Sequence, residues 1–132
     1  MRSNEGSLAY LDSSALVKLA RDEDETQALR RVLGTFDGQT SSELAVVEVL
    51  RAVPPRSEAR AVGVLRGLAL MRIDRHLLLL AGRLDPRPLH SLDALHLATA
   101  LSMGSALSVL LTYDRRLTAA AALHGLPTAA PA

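Results

Sequence analysis

Short apolar runs alternate with longer segments of helical period along almost the whole chain. Residues 8–11 (Leu-Ala-Tyr-Leu) form a four-residue apolar run, which reads as a short buried strand ending at Asp12. Ser13 and Ser14 are then placed to cap a helix that runs to residue 20. The acidic run 22–25 suits the first turn of a second helix ending near residue 33, because the helix dipole favours negative charge there. Residues 38–42 read as a second short strand or a strand-to-helix turn. Ser42 caps a helix extending to about residue 52, where Pro54 and Pro55 stop it.

Residues 56–68 predict a weaker helix, interrupted by Gly63 and Gly67. A third strand is expected at 70–73, a helix at 75–84 and a loop at 85–88. Ser91 caps the strongest helix, 92–103. Residues 109–112 form a buried strand, and 115–124 a last helix ended by Gly125 and Pro127. Residues 1–7 read as a short N-terminal extension and 128–132 as a C-terminal tail of one domain. Strands alternating with helices imply an α/β sandwich around a short, mainly parallel sheet.

Composition narrows the picture. With 48% hydrophobic and 22% charged residues, the chain has the balance of a globular domain rather than a disordered one. Its 132 residues suffice for one real core. The chain has no cysteine, which excludes disulfides, zinc–thiolate sites and cysteine nucleophiles and suits a cytoplasmic setting. No apolar run approaches the roughly 20 residues of a membrane span, and the first seven residues lack the apolar stretch of a secretory signal. Lys18 is the only lysine, and the other basic residues are arginines, whose planar fork suits phosphates and carboxylates. The aromatic residues are Tyr10, Phe36 and Tyr113, too few for a base-stacking platform.

The chemistry lies in four acids. Asp12 and Asp114 each follow a predicted strand, and in parallel sheets ligands bind beyond the carboxyl ends of the strands. Asp93 opens a helix, where the dipole favours a carboxylate. Glu48 sits in the second turn of its helix among Leu44, Val47 and Leu50, so it is expected to face inward. Glu43, its rival in the first turn of the same helix, reads as a surface acid. Four clustered carboxylates cannot all ionise without a cation. Mg²⁺ or Mn²⁺ resolves the repulsion, because hard cations take oxygen ligands and keep several waters. Such a site activates water and stabilises charge on a phosphate.

The strings Tyr10-Leu-Asp-Ser-Ser-Ala-Leu-Val-Lys18, Glu48-Val-Leu-Arg-Ala52, Ser91-Leu-Asp-Ala-Leu-His-Leu-Ala-Thr-Ala100 and Leu111-Thr-Tyr-Asp114 together resemble the PIN domain. More narrowly they are similar to VapC, the toxin ribonuclease of type II toxin–antitoxin pairs. The motifs keep the family's order from residue 8 to about residue 127. The resemblance implies a three-layer α/β/α sandwich and a Mg²⁺- or Mn²⁺-dependent endoribonuclease. It casts Asp12, Glu48, Asp93 and Asp114 as catalytic and metal-binding residues holding one or two ions. Ser13 and Thr112 match polar positions beside the acids, able to bond a carboxylate or a metal-bound water, or to serve as a helix cap and a strand-end bond. The resemblance further implies an RNA substrate, a VapB-like antitoxin that inserts a segment near the acids, and a homodimer. The apolar helices 29–33 and 59–65 are candidates for the dimer surface, unless they pack on the sheet. No acid follows Asp114, where some PIN nucleases carry another, and His90 stands where an arginine is common.

Around this quartet, Arg51, Arg115 and Arg116 are candidate phosphate contacts, and Arg51 could instead pair with Glu48. His96, one turn after Asp93, reads as a packed core or interface histidine with a role behind the acids as the rival reading. His76 and His124 read as surface residues. A P-loop hydrolase is excluded because no Gly-rich segment ends in Gly-Lys-Ser/Thr. A phosphoacceptor receiver needs a late lysine, and Lys18 lies in the first helix. The remaining alternative is a PIN-fold binding module without catalysis, which the retention of all four acids disfavours.

Overall fold

The computed structural model describes residues 7–132, so most of the expected N-terminal extension lies outside the described residues. Five strands, β1 (Leu8–Leu11), β2 (Gly38–Ser42), β3 (Ala69–Met71), β4 (Leu107–Leu111) and β5 (Thr128–Ala129), form one sheet in the order β3-β2-β1-β4-β5. Every pairing is parallel. The strands are linked by helices α1 (Ser13–Ala20), α2 (Thr26–Leu33), α3 (Leu44–Ala52), α4 (Glu58–Arg66), α5 (Arg75–Arg83), α6 (Ser91–Ser102) and α7 (Arg115–Leu123).

Alternation along β1 shows how the layers arise. Side chains on a strand point to opposite faces in turn. Ala9 and Leu11 enter a core with Leu16, Leu29, Val49 and Leu65, contributed by α1 to α4. Tyr10 enters a second core with Leu97, Leu110 and Leu117, contributed by β4, α6 and α7. The helices therefore cover both faces, giving the expected three-layer sandwich. Burial of each large aliphatic side chain stabilises the fold by about 1.5–3 kcal/mol.

Several elements differ from expectation for local reasons. Asp12, not Ser13 or Ser14, caps α1, because its carboxylate accepts the Ala15 N–H. The helix expected from residue 56 begins instead as a 3₁₀ turn, Pro55–Ser57, with α4 following; proline suits such a first position because it has no N–H to leave unpaired. Strand β4 starts two residues earlier than the apolar run suggests and stops before Thr112. Part of the expected tail is strand β5: Leu110 N–H donates to Pro127 O and Thr112 N–H to Ala129 O. Between α7 and β5, Gly125 has φ +71°, and Leu126 N–H returns to Ala121 O. This left-handed closure favours glycine.

Leu29 and Leu33 of α2 and Ala61 and Leu65 of α4 are buried in the first core. The faces expected to serve a dimer are thus turned inward against the neighbouring helices. The large apolar side chains left exposed lie elsewhere and include Leu78, Leu79 and Leu80 of α5 and Leu92 at the start of α6.

Candidate active site

The chain leaves β1 toward β2 on one side and later returns to β4 on the other. The crevice between the carboxyl ends of β1 and β4 is therefore the sheet's topological switch point, where α/β proteins place ligands. Asp12 and Asp114 stand there. Asp12 N–H still pairs with Leu111 O at 3.2 Å, so the acid is anchored by the sheet itself.

The Asp12 carboxylate is only 3% exposed and fully engaged. Its Oδ1 accepts from Ser14 Oγ at 2.7 Å and Ala15 N–H at 3.0 Å, and its Oδ2 accepts from Thr112 Oγ1 at 2.6 Å. Both hydroxyls also work in the other direction. Thr112 Oγ1 accepts the Asp114 N–H at 3.0 Å and Ser14 Oγ accepts the Tyr113 N–H at 2.9 Å. The two strand ends are thereby stitched together through one carboxylate. Burial raises the Asp12 pKa despite the bonds from Thr112, Ser14 and Ala15 and the nearby His96.

Asp114 caps α7, its Oδ1 accepting from Arg116 N–H at 2.8 Å and, at 3.3 Å, Leu117 N–H. Asp93 lies in the first turn of α6, half-buried. Its pKa is raised first by burial, then by the charges of Asp114 and Asp12, with His96 opposing and Glu48 adding a smaller push. The charges of Asp114, Asp12 and Glu48 all reach Asp93, so these acids lie on the same side of the molecule. Glu48 reaches it from α3, its Oε1 2.6 Å from His96 Nε2, with the side chain 17% exposed. His96 is buried, and its Nδ1 lies 2.7 Å from the Tyr10 hydroxyl.

The sequence matches the PIN domain over residues 9–123, most of the chain. The chain belongs to the PIN domain family. It is also 50% identical over 125 residues to Ribonuclease VapC46 of Mycobacterium tuberculosis, covering 92% of this chain and 96% of that one. Ribonuclease VapC47 of the same species is 37% identical over 132 residues, covering 94% and 97%. The crystal structure of M. tuberculosis VapC20, a sarcin–ricin loop cleaving toxin, superposes with a TM-score of 0.69 at 17% identity, covering 85% of this chain and 94% of that one. At that identity the superposition speaks for the fold.

The remaining sequence-predicted residues fall at different distances from the acids of this PIN domain. Thr112 bonds Asp12 directly. Ser13 does not; the hydroxyl that does is Ser14's, while Ser13 lines a cleft with Ser14, Lys18, Glu48 and Tyr113. Glu43 is tied elsewhere, its Oε1 accepting the Ile73 N–H at 2.8 Å. Arg51, Arg115 and Arg116 are exposed, and Arg116 lies 3.3 Å from His90 Nε2. Glu48 pairs with His96 rather than Arg51. His124 Nε2 lies 2.6 Å from Asp85 O, and His76 is exposed.

Sequence reasoning missed three partners. Ser14 reads in the sequence as a cap and Tyr10 as part of a buried strand, and for His96 a role behind the acids is only the rival reading, with no link to Glu48. The signal for His96 was its position one turn after Asp93. No comparable signal marks Tyr10, because an apolar strand accommodates a tyrosine without revealing where its hydroxyl goes. Lys18 was likewise unassigned: its Nζ bonds Glu23 and Glu25 at 3.1 and 3.0 Å and lies 4.8 Å from the Tyr113 ring centre.

The acids suit a hard divalent cation in chemistry, being carboxylate oxygens whose mutual repulsion already raises Asp93. Among the described residues, however, no group of three acids, histidines or cysteines is arranged as a ready cage for an ion.

Proposed function

We propose that this PIN domain is a metal-dependent endoribonuclease toxin that hydrolyses RNA phosphodiester bonds, using Asp12, Glu48, Asp93 and Asp114. The observation that carries this reading is the Asp12 carboxylate held at the switch point by Ser14 and Thr112, whose hydroxyls also tie down the segment leading to Asp114. The VapC ribonucleases similar to it over nearly their full length support the same reaction class.

One or two Mg²⁺ or Mn²⁺ ions, when bound, supply an activated water and a Lewis acid for the phosphate. The protein contributes the rest. Asp12 offers carboxylate oxygens fixed by Ser14, Thr112 and Ala15, so that little reorganisation is needed on binding. Asp93 and Asp114 sit at helix starts, where exposed N–H groups offset part of their negative charge. Glu48 completes the set from the opposite helical layer. Arg115, Arg116 and Arg51, all exposed, are suited to contact RNA phosphates outside the crevice.

A VapB-like antitoxin is the proposed protein partner, blocking the crevice by neutralising its carboxylates, and a cytoplasmic setting fits that pairing. Self-association is proposed through α5 and the start of α6, where Leu78, Leu79, Leu80 and Leu92 are exposed. Among the described residues no helix is long and apolar enough to cross a membrane.

The deciding experiment is Asp12→Asn. RNA cleavage in Mg²⁺ should fall by at least about 100-fold, the scale of losing one charge-stabilising group. Growth toxicity should disappear while the variant still co-purifies with its antitoxin. Undiminished toxicity in a folded variant overturns the nuclease reading.

A further inference from the structure

Tyr10 is fully buried in β1 and His96 fully buried in α6, yet each carries a polar group deep inside the second core. A phenylalanine and a leucine would fill similar space without polar atoms to satisfy. The polar atoms instead form a line: Tyr10 Oη to His96 Nδ1 at 2.7 Å, and His96 Nε2 to Glu48 Oε1 at 2.6 Å. Glu48 is a long, flexible side chain from a different layer of the sandwich. It is the one acid of the four that neither caps a helix nor lies in the first turn of one.

The direction of the line follows from its ends. A carboxylate only accepts, so Nε2 must carry the proton it shares with Glu48. The other ring nitrogen, Nδ1, faces the Tyr10 hydroxyl. Oε1 of Glu48 is committed to His96, and the side chain lines the cleft with Ser13, Ser14 and Tyr113. Imidazole rings beside metal-binding carboxylates act in this way, through orientation rather than contact with the ion.

We infer that Tyr10 and His96 are positioning residues for the reaction, the tyrosine fixing the orientation of the imidazole so that its Nε2–H holds Glu48 toward Asp12, Asp93 and Asp114. The assignment rests on the proposed metal-binding role of Glu48. Its effect is to build the fourth acid into the core by way of β1, the same strand that ends in Asp12. One strand thus sets two acids: Asp12 through its backbone, and Glu48 through a relay of side chains.

The test combines nitrogen-15 NMR of the histidine rings with Mn²⁺ titration of the purified, metal-free protein. In the wild type, His96 should show a single, ordered ring signal protonated at Nε2. Tyr10→Phe should leave the fold intact by circular dichroism, shift or broaden that Nε2 signal, and weaken Mn²⁺ binding by about 10-fold or more. His96→Gln keeps an N–H donor and should weaken binding less than His96→Leu. Adding Tyr10→Phe to His96→Gln should cost nothing further, because the relay is already cut.

A wild-type ring without a proton at Nε2, with Tyr10 donating instead to the neighbouring Ser41 or Thr99 hydroxyl, overturns the inference even if every variant fails to fold. So does a folded Tyr10→Phe with unchanged Mn²⁺ affinity. Wild-type protein that binds no Mn²⁺ while showing the expected tautomer strikes instead at the metal-binding role of Glu48 on which the inference rests.

Discussion

Asp12 and Asp93 give the residue scale its clearest consequence. Both are raised above the ordinary aspartate value of 3.8, chiefly by burial. The folded chain therefore holds protons that the unfolded chain has already released just above that value. Their contribution to stability is complete below 3.8 and is lost as pH rises through the folded values. Metal-free protein should accordingly melt at a higher temperature near about pH 5 than near about pH 7.5 once other groups are accounted for by the Asp93→Asn control. That variant removes one repelling charge. It should melt a few degrees higher than wild type at neutral pH in chelator, with the gap closing toward acid, and it should not cleave RNA. A variant that melts lower at neutral pH contradicts the repulsion on which the site's electrostatics rest.

At the scale of the element, α3 separates two glutamates that lie five positions apart. Glu43 stands at the helix start and fixes the segment after β3 by accepting the Ile73 N–H. Glu48, further along, turns to His96 and the crevice. Glu43→Ala should therefore lower stability by about 1 kcal/mol, read from urea denaturation, with cleavage retained. Glu48→Gln should do the reverse, losing cleavage by two orders of magnitude or more while denaturing at a similar urea concentration. Equal activity in the two variants would count against the distinction.

Most elements were legible because strand and helix periods differ sharply in this chain: 8–11 and 38–42 could be read within a residue, and the helix from Ser91 by its length. The acids were legible because an acid directly after or inside an apolar run is conspicuous. What the sequence hid is whatever depends on a distant partner. Strand β5 is two residues long and exists only because Leu110 and Thr112 offer it backbone partners. Ser14 outranks Ser13 because the first turn of α1 carries its hydroxyl between Asp12 and Tyr113 N–H, a fact of rotation about the helix axis. Tyr10 and His96 lie 86 positions apart and meet only when α6 covers the sheet.

For the whole molecule, Leu78 of α5 and Leu92 of α6 border a groove formed by α5, the following loop and α6. With the apolar faces of α2 and α4 spent on the core, this groove is the surface proposed for self-association. If the proposed dimer forms there, the pair Leu78→Glu and Leu92→Glu should convert it to a monomer in sedimentation velocity while RNA cleavage by the crevice persists. A dimer that survives both changes moves the interface elsewhere. The order of the strands has a consequence of another kind, concerning time during synthesis. β1 emerges well before its neighbour β4 and the hydroxyl of Thr112 that bonds Asp12, which follow about 100 positions later in the chain. A ribosome-bound chain halted before residue 107 has β1 with one edge unpaired and Asp12 without Thr112, and it lacks Asp114 altogether. On the proposed roles of Asp12 and Asp114, such a nascent chain has no crevice with which to cut RNA until β4 and the start of α7 have been made.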